Sequence, residues 1–142
     1  MSKDITKIVL PIKGIKQKPL HCGPVCVCMI LRYYGVRQTQ DEIGRAIKIR
    51  RLGGSYPSQL MKYLEKYGVR TQKVRTLNFE KYFIHPRPAI IGFKQHFCLL
   101  IGRINSHAVV IDPQTGRKSI VKKDYFKNVK DYIKITGVTY AG

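Results

Sequence analysis

Acidic residues are scarce here: eight Asp and Glu stand against 27 Lys and Arg in 142 residues, a formal net charge of +19. A surface so poor in acid binds polyanions at least non-specifically, because neutralising phosphates releases their counterions. Nucleic acid, an anionic membrane surface and an acidic partner are all admitted. No apolar signal region follows Met-Ser-Lys-Asp, and no run approaches the roughly 20 apolar residues of a spanning helix, so a soluble protein without a membrane span is expected. Repeats, low-complexity tracts and linkers are missing too, which predicts one domain over residues 1–142. Cysteines are few. Cys22, Cys26 and Cys28 are clustered and Cys98 stands alone, a pattern unsuited to stapling a small secreted fold. Free thiols in a reducing compartment follow, in the cytoplasm or inside a viral particle. The grouping His21, Cys22, Cys26, His96 and Cys98 lacks a Cys-x-x-Cys knuckle, so neither metal nor cofactor is expected. The basic stretches 45–51, 70–75 and 117–123 carry no nucleic-acid motif of stereotyped spacing, which leaves non-specific contact with nucleic acid or another polyanion but no sequence readout.

What is present is patterned. Hydrophobic residues make up 44% and charged residues 25%, in a chain long enough for one real core. Lys7 to Ile12 alternates like a short edge strand, and a Gly- and Pro-containing loop, 13–21, delivers the chain to Cys22. From Cys22 to Tyr34 apolar residues fall on every side of a helical wheel, which predicts a buried helix with Pro24 in its first turn and Gly35 at its end. Thr39 caps a second helix whose first turn holds Asp41 and Glu42. After a loop at Gly53-Gly54-Ser55, a third helix runs from Pro57 to Tyr67 and stops at Gly68. The period then shortens: 69–74, 89–93, 96–104, 108–111, 119–121 and 132–135 read as strands, with helical turns at 78–83 and 123–128. Helices first and strands second predict an α+β fold, with a central helix packed on an antiparallel sheet.

One thiol in this pattern has the setting of a nucleophile. Cys22 stands at a helix start, after a polar loop and before Gly23. Unpaired N–H groups there and a nearby histidine favour the thiolate that attacks a carbonyl. His96 and Asp112 fall where a hairpin would bring both to one edge of the sheet. Asp112 would hold the His96 ring in one tautomer, and His96 would take the thiol proton and return it to a leaving amine. Gln17 and the backbone N–H of Cys22 are positioned to face an oxyanion. The plainer readings are a buried Cys22, core positions for Cys26, Cys28 and Cys98, a simple Asp-Pro turn at Asp112-Pro113, and loop or surface positions for His21 and His85. His107 is the rival base, but it opens a strand.

Gln17, Cys22-Gly23, the helix ending Tyr33-Tyr34-Gly35, Gly53-Gly54-Ser55, His96-Phe97 and Asp112-Pro113-Gln-Thr-Gly116 occur in one order across nearly the whole chain. This ordered set resembles the double-glycine leader, or bacteriocin-processing, cysteine peptidases, whose domains are papain-like and often precede peptide-exporting ABC transporters. The resemblance implies a papain-like fold and a Cys22–His96–Asp112 triad, with Gln17 in the oxyanion hole and Gly54, Ser55 and Tyr56 beside the cleft. It implies cleavage of a peptide or protein after a glycine-rich, Gly-Gly type site, since only glycine fits beside the nucleophile. Gln17 stands one residue nearer the cysteine than in the family pattern, and Gln95 takes a place more often held by Asn or Gly. The +19 charge is no trait of that family. It supports a second reading: a non-catalytic, basic protein of the same fold, packed against nucleic acid or inside a virion or other assembly.

Overall fold

A computed structural model describes residues 6–48 and 55–139. Three helices come first: α1 (Cys22–Tyr33), α2 (Gln40–Ile47) and α3 (Pro57–Lys66). Short strand β1 (Lys7–Val9) precedes them, and β2 (Val69–Val74), β3 (Ala89–Gly92), β4 (Phe97–Ile104), β5 (His107–Asp112), β6 (Arg117–Val121) and β7 (Asp131–Val138) follow. One-turn helix α4 (Phe79–Tyr82) and a 3-10 turn (Lys123–Phe126) interrupt the strands. The α+β reading and the order of elements agree with the sequence.

Helix α1 is buried from Gly23 to Leu31, as its all-round apolarity requires. Thr39 Oγ1 accepts the Glu42 N–H at 3.1 Å and caps α2. Pro57 opens α3, and Gln59 Oε1 accepts the N–H of Tyr56 at 2.7 Å, closing the first turn.

The strands form a seven-stranded antiparallel sheet in the order β2-β7-β3-β4-β5-β6. β4 pairs with β3 through Phe97–Leu100 and with β1 through Gly102–Ile104. Several boundaries move from those read in the sequence. The last strand is not 132–135 but Asp131–Val138, because it lies between β2 and β3 and is paired along both sides. β4 begins at Phe97, leaving His96 in the preceding turn, and β1 covers only Lys7–Val9 of the expected 7–12. Gly53 and Gly54, assigned to a loop by sequence, lie outside the described residues.

Both sheet faces are covered, which the sequence reading does not anticipate. Phe97, Leu99 and Ile101 of β4 join Val109 and Ile111 of β5 under α1, α2 and α3. Between them, Cys98 and Leu100 point to a second cluster with Val110, Phe83 and Tyr132, edged by Phe79, Phe93, Tyr125 and Phe126. The period-2 alternation of a strand thus feeds two cores, and β3 and β4 read as continuous apolar runs.

Candidate active site

The site begins where the approach loop meets α1. His21 precedes the helix without a side-chain cap, and no acid occupies the first turn, so the amide groups at that end are left to Cys22. Two anchors fix the loop. Gln17 N–H donates to Pro113 O at 2.7 Å. The Gln40 side chain clamps it from α2, its Nε2 donating to Lys16 O at 2.9 Å and its Oε1 accepting from Lys18 N at 2.8 Å. Gly23 is closely packed: a Cβ there would lie 3.1 Å from Cβ and Oγ of Ser55 and 3.0 Å from Leu60 Cδ2. Removal of the side chain after Cys22 therefore brings the Ser55 wall against the helix start.

The β3–β4 hairpin and the end of β5 supply the second half. Phe93 N–H donates to His96 O at 2.8 Å, closing the hairpin over Lys94 and Gln95. The His96 ring stacks on Phe93, with centroids 6.5 Å apart and planes at 27°, and Phe93 in turn meets Tyr125 edge-on. Antiparallel pairing of β4 with β5 brings Asp112 beside this turn, and His96 Nε2 lies 3.4 Å from Asp112 Oδ1. The same carboxylate oxygen accepts the Gln114 N–H at 2.9 Å, while Asp112 O accepts the N–H of Gly116 at 2.8 Å. Gly116 has φ of +71°, a left-handed conformation that glycine adopts without steric cost, and the turn it closes holds Asp112 in place.

Cys22 is half-buried and reduced. Burial pushes its thiol above the ordinary value, against the N–H groups of Phe97, Gly23 and Cys22 itself, which favour the thiolate; the Asp112 carboxylate pushes further upward. Cys98 lies one layer deeper: Tyr125 Oη donates to its Sγ at 3.2 Å, and burial pushes the thiol up to about 12. His96, Cys98 and Asp112 hold their ligand atoms within 4.8 Å of one another, close enough for a metal ion. A metal there would have to displace the Cys98 proton and would occupy the same His96 and Asp112 atoms that face each other.

Cys22, Gln17, Ser55, Tyr56 and His96 line one cleft of about 620 Å³. Of the residues read from sequence, those five meet at its surface, Asp112 backs His96, and Gly54 lies outside the described residues. Gln17 arrives in the predicted place with its amide turned aside: Nε2 reaches Lys18 O at 3.5 Å, and Oε1 is buried without a partner. Ser55 Oγ is likewise buried and unpartnered. Cys26 and Cys28 are core residues. His21 binds Pro19 O through Nδ1, and His107, the rival base, opens β5 opposite Ile104 at the other end of the hairpin. The sequence reading gives no role to the backbone amides of Phe97 and Gln114, and misses the Phe93 ring and the Tyr125 hydroxyl. It also misses Lys73, Lys94 and Lys130 on the cleft wall.

The model of the Peptidase C39 family matches residues 15–135. Solved structures agree in fold. The peptidase domain of Streptococcus ComA, a bifunctional ABC transporter involved in quorum sensing, superposes with a TM-score of 0.76 at 19% identity over 87% of this chain and 97% of its own. A double-glycine motif protease from an AMS/PCAT transporter, solved in complex with the leader peptide, gives 0.76 at 22% identity over 92% and 97%. A Bacillus anthracis chain described as C39-like gives 0.74 at 14% identity over 95% and 100%. No curated relative matches. The papain-like α+β architecture expected from the residues is thus the observed one. No helix among the described residues is long and apolar enough to cross a membrane.

Proposed function

The chain belongs to the Peptidase C39 family, and from that premise we propose that it cleaves peptides after a glycine-rich, Gly-Gly type site, with Cys22 as nucleophile, His96 as base and Asp112 as its orienter. The observation that carries this reading is the His96–Asp112 contact of 3.4 Å at the cleft that Cys22 lines. The Cys22 proton passes to His96, and the thiolate attacks the scissile carbonyl carbon. Negative charge develops on the carbonyl oxygen, where the backbone N–H of Cys22 donates; Gln17 joins once its amide turns from Lys18 toward the cleft. His96 returns the proton to the leaving nitrogen as the C–N bond breaks, leaving a thioester on Cys22. Water then attacks that thioester, giving its proton to His96, and the C–S bond breaks to release the acid as His96 returns the proton to the Cys22 sulfur.

Asp112 favours this cycle by placing negative charge against the imidazolium formed in each half, in a partly buried site where such charge is weakly screened. Ser55, Tyr56 and Pro57 line the same cleft, with Ser55 against the helix start beside Cys22, and a backbone bare of side chains suits a wall set this close. The AMS/PCAT neighbour is described as a double-glycine motif protease, which supports the same substrate class.

Peptides carrying a Gly-Gly site, offered to wild type, Cys22→Ala and His96→Ala, test the proposal. Cleavage by wild type alone is expected, with each variant slower by more than about a thousandfold. Iodoacetamide should label Cys22 ahead of the three buried thiols. Negligible cleavage by wild type, with Cys22 labelled no faster than an ordinary thiol, overturns the assignment.

A further inference from the structure

The thiol cleft is not isolated. It shares Lys73, Lys130 and Asp131 with a neighbouring depression of about 550 Å³, which adds Arg75 and Val129. Arg75 and Val129 also line a third cavity, of about 670 Å³, which adds Arg103 and Lys123. The three depressions thus adjoin, each sharing lining residues with the next. Lys94, Lys73, Lys130, Arg75, Arg103 and Lys123 line this trench, against Asp131 and Glu80 as its acids. None of the six cations joins an ion pair among the described residues, where the only paired lysines are Lys18 with Asp41 and Lys127 with Asp124. Like charges gathered in a concave channel repel one another and concentrate an opposite charge.

We propose that this trench is a recognition track for an acidic segment of the peptide whose scissile bond lies at Cys22. The inference rests on the peptidase reading, and it names the substrate class as a glycine-site peptide flanked by Asp and Glu. Continuity with the Cys22 cleft is the argument for a peptide: one chain occupies both the track and the thiol. Nucleic acid fits less well. The rings at the far end, Phe79, Phe126 and Tyr132, are packed on one another with centroids 4.9 to 6.4 Å apart rather than standing apart as a stacking platform for successive bases. The excess of positive charge, foreign to the peptidase chemistry, then acts in substrate selection.

Two labelled peptides share a Gly-Gly site and differ only in four flanking positions, Glu in one and Gln in the other. Binding to the Cys22→Ala protein is followed by anisotropy, and wild-type kcat/KM is measured in parallel. The Glu peptide should bind about tenfold tighter at low salt, with the ratio falling toward one as salt shortens the screening length. The triple variant Lys73→Gln, Lys94→Gln, Lys130→Gln should lose most of that ratio. Equal affinity for both peptides, with both cleaved at equal kcat/KM, overturns the track and leaves the peptidase standing. A Glu preference in binding with cleavage of neither peptide supports the track and overturns the peptidase. A single-stranded oligonucleotide of equal charge that binds tighter and displaces the Glu peptide assigns the trench to nucleic acid and overturns the proposal.

Discussion

The two faces of the sheet are built from different materials. Under the helices the core is mostly aliphatic, dominated by Val, Ile and Leu of α1, α3 and the central strands. On the other face the covering is two short turns, and the packing is aromatic: Phe79 on Phe126, Phe93 on Tyr125, Phe126 on Tyr132. The candidate site draws on both. Cys22 comes from the helical layer, while His96 and Asp112 stand with Cys98, a member of the aromatic layer. They approach at the start of β4, where the amide of Phe97 reaches the Cys22 thiol. A buried helix thus presents Cys22, and a hairpin braced by rings presents His96.

Ile30→Ala should break this comparison most severely. Ile30 is wholly buried in α1, and its loss should cost about 2–5 kcal/mol of stability in denaturant unfolding, with activity falling because the helix that carries Cys22 loosens. Asp112→Asn acts on the other layer and separates chemistry from stability. The Asn oxygen can keep the Gln114 N–H bond, so the melting temperature should hold while kcat falls about a hundredfold. An equal loss of stability in this variant would show that Asp112 holds the turn more than it orients His96.

The smallest effect is confined to alkaline pH and marks the aromatic layer. The Cys98 thiol, ordinarily 9.0, is pushed up to about 12 by burial. The unfolded chain therefore loses that proton first. Stability from this group is fully present below pH 9 and declines as pH rises toward 12. Buried Cys26 and half-buried Tyr125 add in the same direction. Urea midpoints recorded across that range should decrease; a flat profile would mean that Cys98 is open to water.

Much of this architecture is legible in the residues. The all-round apolarity of Cys22–Tyr33, the Thr39 cap and the Pro57 start place three helices within a residue or two. Cys22, His96 and Asp112 could be singled out because each sits beside a local landmark: a helix start, the approach to a strand, an Asp-Pro turn. The second core is not legible. A strand buried on both faces is an unbroken apolar run, and nothing in such a run says what covers its other side. The Phe97 and Gln114 contacts are backbone amides, which carry no signature in side-chain identity.

The sequence by itself determined the class of fold, the place of Cys22 at a helix start and the excess of positive charge, because helical period, capping and ionisation are local properties of residues. Only the tertiary structure decided that His96 and Asp112 lie 3.4 Å apart and that Lys73, Lys94 and Lys130 line the cleft of Cys22. It alone placed β7 between β2 and β3, adjacent to neither along the chain. Those are distances between segments remote in sequence, set by strand pairing and by the burial of two faces at once.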